Sequence, residues 1–450
     1  MSGGESGVGG GFPRTVPGSG RHAARSVGVL DVGTSKVVCL IAAVAPRAGV
    51  HAGVPRAEVL GAGHVRARGI KAGVVTDLDE AEGAIRAAIG EAERMAGLAL
   101  EEIHVAVSCG RLKSRHFTAS AEVESGVVDD GDIARVMSGG RAYADRDGRT
   151  LVHLNLLGFR LDRAQAVTDP RGMAAGLLSA DLHAVTADDA PLRNLTMAVE
   201  RCHVAVAGLV AAPFASALAA STDDERRLGV TVVDIGAGVA TLAGFADGQL
   251  VFADAVPVGG HHITYDIARA LNMPLAEAER IKALYGTLIE AGSDNYESFE
   301  YALAGPSTGG EDGGEEDLVG RVTRAQLRSV VRPRVEATLA LIAERLERAV
   351  QLGPVTRLAT GRVVLTGGAS QLAGLGDLAS GALARPVRVA GVTGLAGLPA
   401  GLARPGFAVA AGLLSSCSRP SLQVPAWRTG GDGQGGGYLG RVGNWLREGF

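Results

Sequence analysis

Two aspartates are the residues best placed to do chemistry: Asp31 and Asp234, each ending an apolar run at the entrance to a tight turn. VGVLDVGTSKVVCL (Val27–Leu40) runs into Asp31, then Gly33, Thr34, Ser35 and Lys36, then a second apolar run. VTVVDIGAGVATLAGFADG (Val230–Gly248) repeats the order with Asp234, Gly236, Ala237 and Gly238. A turn of small residues brings backbone N–H groups close to an anion, because no Cβ stands in the way. The Thr34 and Ser35 hydroxyls and the Lys36 ammonium suit phosphate oxygens. An acid at each entrance can hold a hydrated metal ion. Two such hairpins about 200 residues apart read as a duplicated unit. Facing one another, they would clamp the β- and γ-phosphates of a nucleotide, with Asp31 and Asp234 approaching its Mg²⁺ through water. A third segment, RVVLTGGASQLAGL (Arg362–Leu375), is a strand followed by Gly367, Gly368 and Ala369. Bare backbone there lets a flat ring such as adenine lie against it.

In this order the three segments resemble the phosphate-1, phosphate-2 and adenosine motifs of the actin/Hsp70/hexokinase ATPase superfamily. Further stretches narrow the resemblance: GVVTDLDEA (Gly73–Ala81), TDPRGM (Thr168–Met173), AVERCHVAVAGLV (Ala198–Val210), DERRLGVTVVDIGAG (Asp224–Gly238) and VLTGGASQLAGL (Val364–Leu375). With NWLREGF (Asn444–Phe450) at the end, they resemble the FtsA family of bacterial cell-division proteins across most of Val27–Ser416. The chain departs from the family pattern at Ala237 and Val239, where more glycine and a threonine are common. The resemblance implies an α/β actin-like ATPase fold: two related domains, central sheets flanked by helices, a nucleotide cleft between them, an inserted α+β 1C subdomain and a C-terminal amphipathic helix. It implies ATP with Mg²⁺ as ligand, weak or no ATPase activity, and Glu279 and Lys282 facing the ribose and base. It implies three kinds of partner: the FtsZ C-terminal peptide at subdomain 2B, other copies of itself in filaments, and later divisome proteins through 1C. The place implied is the cytoplasmic face of the inner membrane at the septum, where the family polymerises and tethers the FtsZ ring.

The elements that must position these residues divide the chain. Residues 1–26 are a Gly/Ser/Pro-rich tail expected to be disordered. Residues 27–100 begin domain 1A, with a helix over Leu78–Ala96 capped by Asp77. Residues 101–188 are the inserted 1C (SHS2-like) module, with strands at Ile103–Ser108, Leu151–Asp162 and Asp181–Ala187 and a helix near Asp132–Tyr143. His104, His153 and His183 fall in those strands without acids or cysteines at ligand spacing, and read as structural. Residues 189–228 return to 1A and end in a charged linker, Asp223–Arg227. Residues 229–285 open domain 2A, where Gly259–Gly260 start a helix whose N-terminal backbone is a further anion site. Residues 286–340 form 2B with its acidic excursion. Residues 341–418 complete 2A and close with a helix over Phe407–Cys417. Each half is expected to hold a mostly parallel sheet. Arg324–Leu352 reads as a long amphipathic helix that Pro333 ends or kinks.

Residues 419–437 are a glycine-heavy tether. At about 100° per residue, Tyr438, Leu439, Val442, Trp445, Leu446 and Phe450 of the last segment, 438–450, share one sector. Arg441 and Arg447 lie outside it. This is the pattern of a helix lying in a membrane surface. One such helix with few cations binds weakly, so lasting attachment needs several copies held together.

Composition excludes other classes. A net charge of −4 over 450 residues is no nucleic-acid footprint, so no nucleic-acid partner is expected. Four scattered cysteines read as buried free thiols. No apolar run of about 18 residues marks a spanning helix. A sugar-kinase-like phosphotransferase would need a carboxylate base against a substrate hydroxyl, and no motif supplies one. A chaperone ATPase would need a peptide-binding domain beyond Cys417. An actin-like pilus-assembly ATPase shares the fold and differs in lacking the C-terminal lipid helix.

Overall fold

The computed structural model describes residues 25–45, 56–145, 148–162, 166–303, 319–351 and 361–418. The N-terminal tail, most of the acidic run, the expected tether and the expected amphipathic helix at 438–450 lie outside the described residues.

Each acid-turn segment folds as a hairpin at the centre of a five-stranded sheet. In the first sheet, β1 (Arg25–Val32) pairs antiparallel with β2 (Lys36–Ala45), and β2 antiparallel with β3 (Arg56–Arg66). On the other side of β1 run two parallel strands, β6 (Glu102–Val107) and β11 (Ala205–Ala211). The second sheet repeats this: β12 (Val230–Ile235), β13 (Ala240–Ala246) and β14 (Gln249–Val256) antiparallel, then β17 (Arg362–Thr366) and β18 (Val387–Val389) parallel. The orders β11-β6-β1-β2-β3 and β14-β13-β12-β17-β18 are the same motif written twice. Both sheets are mixed rather than mostly parallel, because short turns force their neighbours antiparallel. Asp247 (φ 53°) and Gly248 (φ 80°) make one such turn, with both central residues left-handed as a two-residue hairpin demands.

The strand at β6, expected within the inserted module, belongs to the first sheet. The module's own sheet runs β7-β10-β8-β9 from β7 (Lys113–Glu122), β8 (Arg149–Leu161), β9 (Ala166–Val167) and β10 (Leu177–Asp188). Helix α2 (Asp130–Ala144) covers it, started by a reciprocal Asp129–Asp132 capping box. A two-strand ladder of β4 (Ile70–Lys71) and β5 (Val74–Val75) precedes α1 (Leu78–Ala96), whose N-cap Asp77 accepts from the Glu80 N–H at 3.0 Å. Next come α3 (Asp189–Glu200), α4 (Ala212–Ala220) and α5 (Asp223–Leu228). The charged stretch expected to be a linker is thus a short helix, because Thr222 and Glu225 cap it reciprocally and Arg388 pairs with Glu225.

In the second half, α6 (Gly260–Leu271), α7 (Leu275–Tyr285) and the hairpin β15 (Ser298–Ala302) and β16 (Val319–Thr323) lead to α8 (Arg324–Gln351). Pro333 does not end α8. Burial of Leu327, Val331, Val335, Leu339, Ile342 and Leu346 along one face outweighs the one lost backbone bond. Last come α9 (Leu375–Leu383) and α10 (Ala408–Ser418). Alanine-rich α4 and α10 pack together at the joint: α4 touches strands of the second sheet and α10 strands of the first. Among the described residues, no helix is long and apolar enough to cross a membrane.

The strand histidines sit in this frame as interior groups. His153 is fully buried and accepts from the Ala211 N–H at 2.9 Å. His183 is fully buried, with Nδ1 2.9 Å from the Leu250 carbonyl and Nε2 2.9 Å from Ser114 Oγ, so it ties the module to β14. Burial pushes both imidazoles down from 6.5 to about 3. The unfolded chain therefore binds two protons that the folded chain refuses. Stability is full above 6.5 and falls as pH drops towards 3, by up to about 1.4 kcal/mol per pH unit for each group. Urea midpoints measured across this window in an Asp31→Asn/Asp234→Asn chain, which lacks the opposing titration of those two raised carboxyls, should show the loss, and His153→Gln in that chain should reduce its slope by about half.

Candidate functional site

The two acids end β1 and β12 and line one cleft of about 450 Å³. Their turns match bond for bond. The Gly33 N–H donates to the Lys36 carbonyl at 3.0 Å, and the Gly236 N–H to the Val239 carbonyl at 3.0 Å. The turns also meet: a Cβ on Gly238 would stand 2.6 Å from Thr34 Oγ1. Thr34 is held by the Gly73 N–H, which donates to its hydroxyl at 3.1 Å.

Burial raises both carboxyls, Asp31 to about 6 and Asp234 to about 7. Beyond burial, the Asp31 charge pushes Asp234 further up, while Lys36 pulls both down. Two buried carboxyls, one of them raised further by the charge of the other, form a site short of positive charge. Lys36 supplies some of it, its ammonium lying 4.6 Å over the centre of the Phe407 ring.

The third turn closes the cleft floor. Gly367 has φ 88° and donates its N–H to the Pro405 carbonyl at 3.1 Å. Gly368, Ala369, Ser370 and Gln371 follow as one 3₁₀ turn. A Cβ on Gly367 would stand 2.2 Å from Asp234 Oδ1 and 2.5 Å from the Ile235 carbonyl. Gly367→Ala is expected to destabilise the fold by about 2 kcal/mol or more, combining left-handed strain with the clash. The thermal midpoint checks it.

The start of α6 works differently from expectation. The Gly260 and His261 N–H groups donate to the Gly236 and Ala237 carbonyls at 2.9 and 2.8 Å. They are spent on holding the second turn and are not free donors for an anion. Gly259 does not line the cleft. It allows this close approach, since a Cβ there would meet Gly236 O at 2.5 Å. His262 Nδ1 accepts from the Gly259 N–H at 3.2 Å, as a cap. Lys282 donates to Glu279 at 2.6 Å, Thr264 at 2.8 Å and the Gly260 carbonyl at 3.1 Å, locking α7 to α6. Burial alone would raise Glu279, but the bonds from Lys282 and Thr264 outweigh it and hold it below the usual range.

Asp31, Gly33, Thr34, Ser35, Lys36, Asp234, Gly236, Ala237, Gly238, Gly260, Glu279, Lys282, Gly367, Gly368 and Ala369 all line this one cleft. So do His261, Gln371 and Arg404, which sequence reasoning did not select. Arg404 sits in a loop with no periodicity, and reaches the cleft because its neighbour Pro405 accepts from Gly367. The residues of 438–450 expected to meet a membrane lie outside the described residues.

Comparison with known proteins supplies the identity of this architecture. Residues 231–412 match the family model for cell division protein FtsA, and residues 109–186 match the SHS2 domain inserted in FtsA. The cell division protein FtsA of Agrobacterium fabrum is 39% identical over 446 residues, 98% of each chain. The chain belongs to the FtsA family of cell division proteins. FtsA of Escherichia coli K12 is 29% identical over 426 residues, 94% of this chain and 97% of that one. Among solved structures, a PilM–PilN type IV pilus biogenesis complex aligns with TM-score 0.59 at 17% identity, covering 86% of this chain and 97% of the other. MreB5 of Spiroplasma citri bound to ADP aligns with TM-score 0.50 at 14% identity, covering 86% and 94%. At such identities these neighbours show the actin-like fold alone, whereas the FtsA relatives match along nearly the whole chain.

Proposed function

We propose that this FtsA-family chain binds ATP with Mg²⁺ between its two halves, polymerises on the cytoplasmic membrane at the division septum, and tethers the FtsZ ring there. The observation that carries the nucleotide reading is the pair of matched turns, Asp31–Lys36 and Asp234–Val239, in contact across one cleft. The residues fit the ligand: two buried acids whose carboxyls are raised in the absence of a cation, N–H-bearing small turns, and Lys36. Asp31 and Asp234 would hold Mg²⁺ through water; no third His, Cys, Asp or Glu joins them among the described residues. Backbone at Gly33–Ser35 and Gly236–Gly238 would hold phosphates, and Gly367–Ala369 with Glu279 and Lys282 the nucleoside. Bound Mg²⁺ would supply the positive charge that the two acids lack.

The tether and amphipathic segment after residue 418 support the membrane reading, and many tails on one filament would give lasting attachment. Subdomain 2B would take the FtsZ C-terminal peptide, and the inserted 1C module later divisome proteins. Vesicle co-sedimentation with ATP tests this, comparing the whole chain with one cut after Pro425. The whole chain should pellet with lipid and the cut chain should stay in solution. Equal pelleting would remove the lipid role of the tail, and failure to bind an FtsZ C-terminal peptide would remove the tether.

A further inference from the structure

One buried hydroxyl on the cleft wall has no partner. Thr241 is the only polar side chain of β13, ATLAGFA, and every residue of that strand is buried. It is 4% exposed, and its Oγ1 makes no hydrogen bond among the described residues. Thr241 nonetheless lines the cleft between the two turns. The other buried hydroxyls around the cleft are spent on the protein itself. Ser370 Oγ donates to the Gly367 carbonyl at 2.8 Å and Thr366 Oγ1 to the Pro405 carbonyl at 3.3 Å. Thr264 Oγ1 is held between Glu279 and Lys282. Burying a hydroxyl without a partner costs stability, and an apolar residue of the same shape would avoid the cost. What is left to pair Thr241 is whatever the cleft holds.

The strand register says where that hydroxyl stands. Thr241 is the direct cross-strand partner of Asp234 in the β12–β13 ladder. Side chains of such a pair project from one face of the sheet, with Cβ atoms about 4.5–5.5 Å apart. Asp234 is one of the two acids that would hold Mg²⁺ through water, and no third His, Cys, Asp or Glu joins them among the described residues. Mg²⁺ keeps several waters wherever only one or two carboxylates reach it. In a buried cleft those waters need hydrogen-bond partners of their own. A hydroxyl both donates and accepts, so it can pair with such a water beside a carboxylate.

We propose that Thr241 is a positioning residue of the nucleotide site, its hydroxyl pairing with a water of the Mg²⁺ hydration shell on the Asp234 side. The inference deepens the reading above and rests on it for the cation. Thr231 supplies an internal control. It is 1% exposed and its Oγ1 is likewise buried without a partner. Thr231 does not line the cleft, and three positions before Asp234 it lies on the opposite face of β12.

Thr241→Val and Thr231→Val each remove one unpartnered hydroxyl at nearly constant shape. In the ligand-free full chain both should hold or raise the thermal midpoint, because no hydrogen bond is lost. Calorimetric titration of ATP across a Mg²⁺ series then separates them. The Mg²⁺ concentration that gives half of the full gain in ATP affinity should rise about tenfold in Thr241→Val, as when an outer partner of a metal site is lost. It should keep the wild-type value in Thr231→Val and return towards it in Thr241→Ser. In EDTA, Thr241→Val and wild type should bind ATP equally. A Thr241→Val curve that overlays the wild type overturns the inference, since the hydroxyl then pairs with a resident water unrelated to the cation. Equal losses of ATP affinity with and without Mg²⁺ overturn it too, since Thr241 then serves the turn. A Thr241→Val midpoint well below that of Thr231→Val also sinks it, by showing that the hydroxyl has a protein partner. A wild-type chain whose ATP affinity ignores Mg²⁺ fails the cation reading itself, and this inference falls with it.

Discussion

A Gly412→Val chain is expected to lose about 3 kcal/mol or more of stability and to yield little soluble protein. The cause is local and backbone-deep. A Cβ at Gly412 would stand 1.6 Å from the Ala215 carbonyl oxygen and 2.5 Å from its carbon, so no side-chain rotation relieves the clash. Either α10 moves off α4 or the two sheets lose the joint between them. Gly83 on α1 provides the contrast, since a Cβ there meets nothing within 4 Å. Gly83→Ala should stabilise by about 0.5–1 kcal/mol through lower chain entropy. Thermal midpoints of the two variants should move in opposite directions. A Gly412→Val midpoint equal to wild type would show that the α4–α10 joint has slack.

Asp31→Asn should do two opposite things. Without ligand it should stabilise the fold, because it removes a carboxyl that burial raises to about 6 and whose charge raises Asp234, a gain of up to about 3 kcal/mol. It should also weaken binding of ATP with Mg²⁺ by about a hundredfold, since one of the two acids for the cation is gone. Asp234→Asn should behave the same way. The pH dependence carries a matching sign. Both carboxyls are raised in the fold, to about 6 and about 7, from 3.8. Their contribution is full below 3.8 and is lost as pH rises through 6 and 7. The ligand-free chain is thus penalised near neutrality, and a bound cation relieves the penalty. This window overlaps the one in which His153 and His183 act in the other direction. Replacing both acids should therefore expose a steeper acid loss than the wild-type chain shows. Calorimetry of ATP binding with unfolding midpoints at pH 5 and 7.5 checks both halves; stability and affinity falling together would mean the acids serve packing alone.

What could be read ahead of the structure was local. Asp31 and Asp234 were visible because an apolar strand, an acid and a glycine turn are contiguous in the chain. Helix α1 was visible because Asp77, its first-turn acids and its apolar spacing all agree. What stayed hidden depends on contacts between distant residues. The strand at β6 has the same alternation whichever sheet it joins, and its pairing with β1 decides the matter. Pro333 obeys a local rule that the burial of one face of α8 overrides. The helix start at Gly260 looks like an anion site until Gly236 and Ala237, more than twenty residues earlier, take up its N–H groups. Arg404 carries no local signal, and only the bond from Gly367 to Pro405 brings it to the cleft.

The doubled strand order has one further consequence. Two identical halves would offer the same groups to either end of whatever lay between them, and an unsymmetrical guest could enter in two senses. Fused in one chain, the halves have drifted apart at matching places: Thr34 opposite Ala237, Ser35 opposite Gly238, Lys36 opposite Val239. One side presents hydroxyls and a cation, the other bare main chain, so the molecule can tell head from tail.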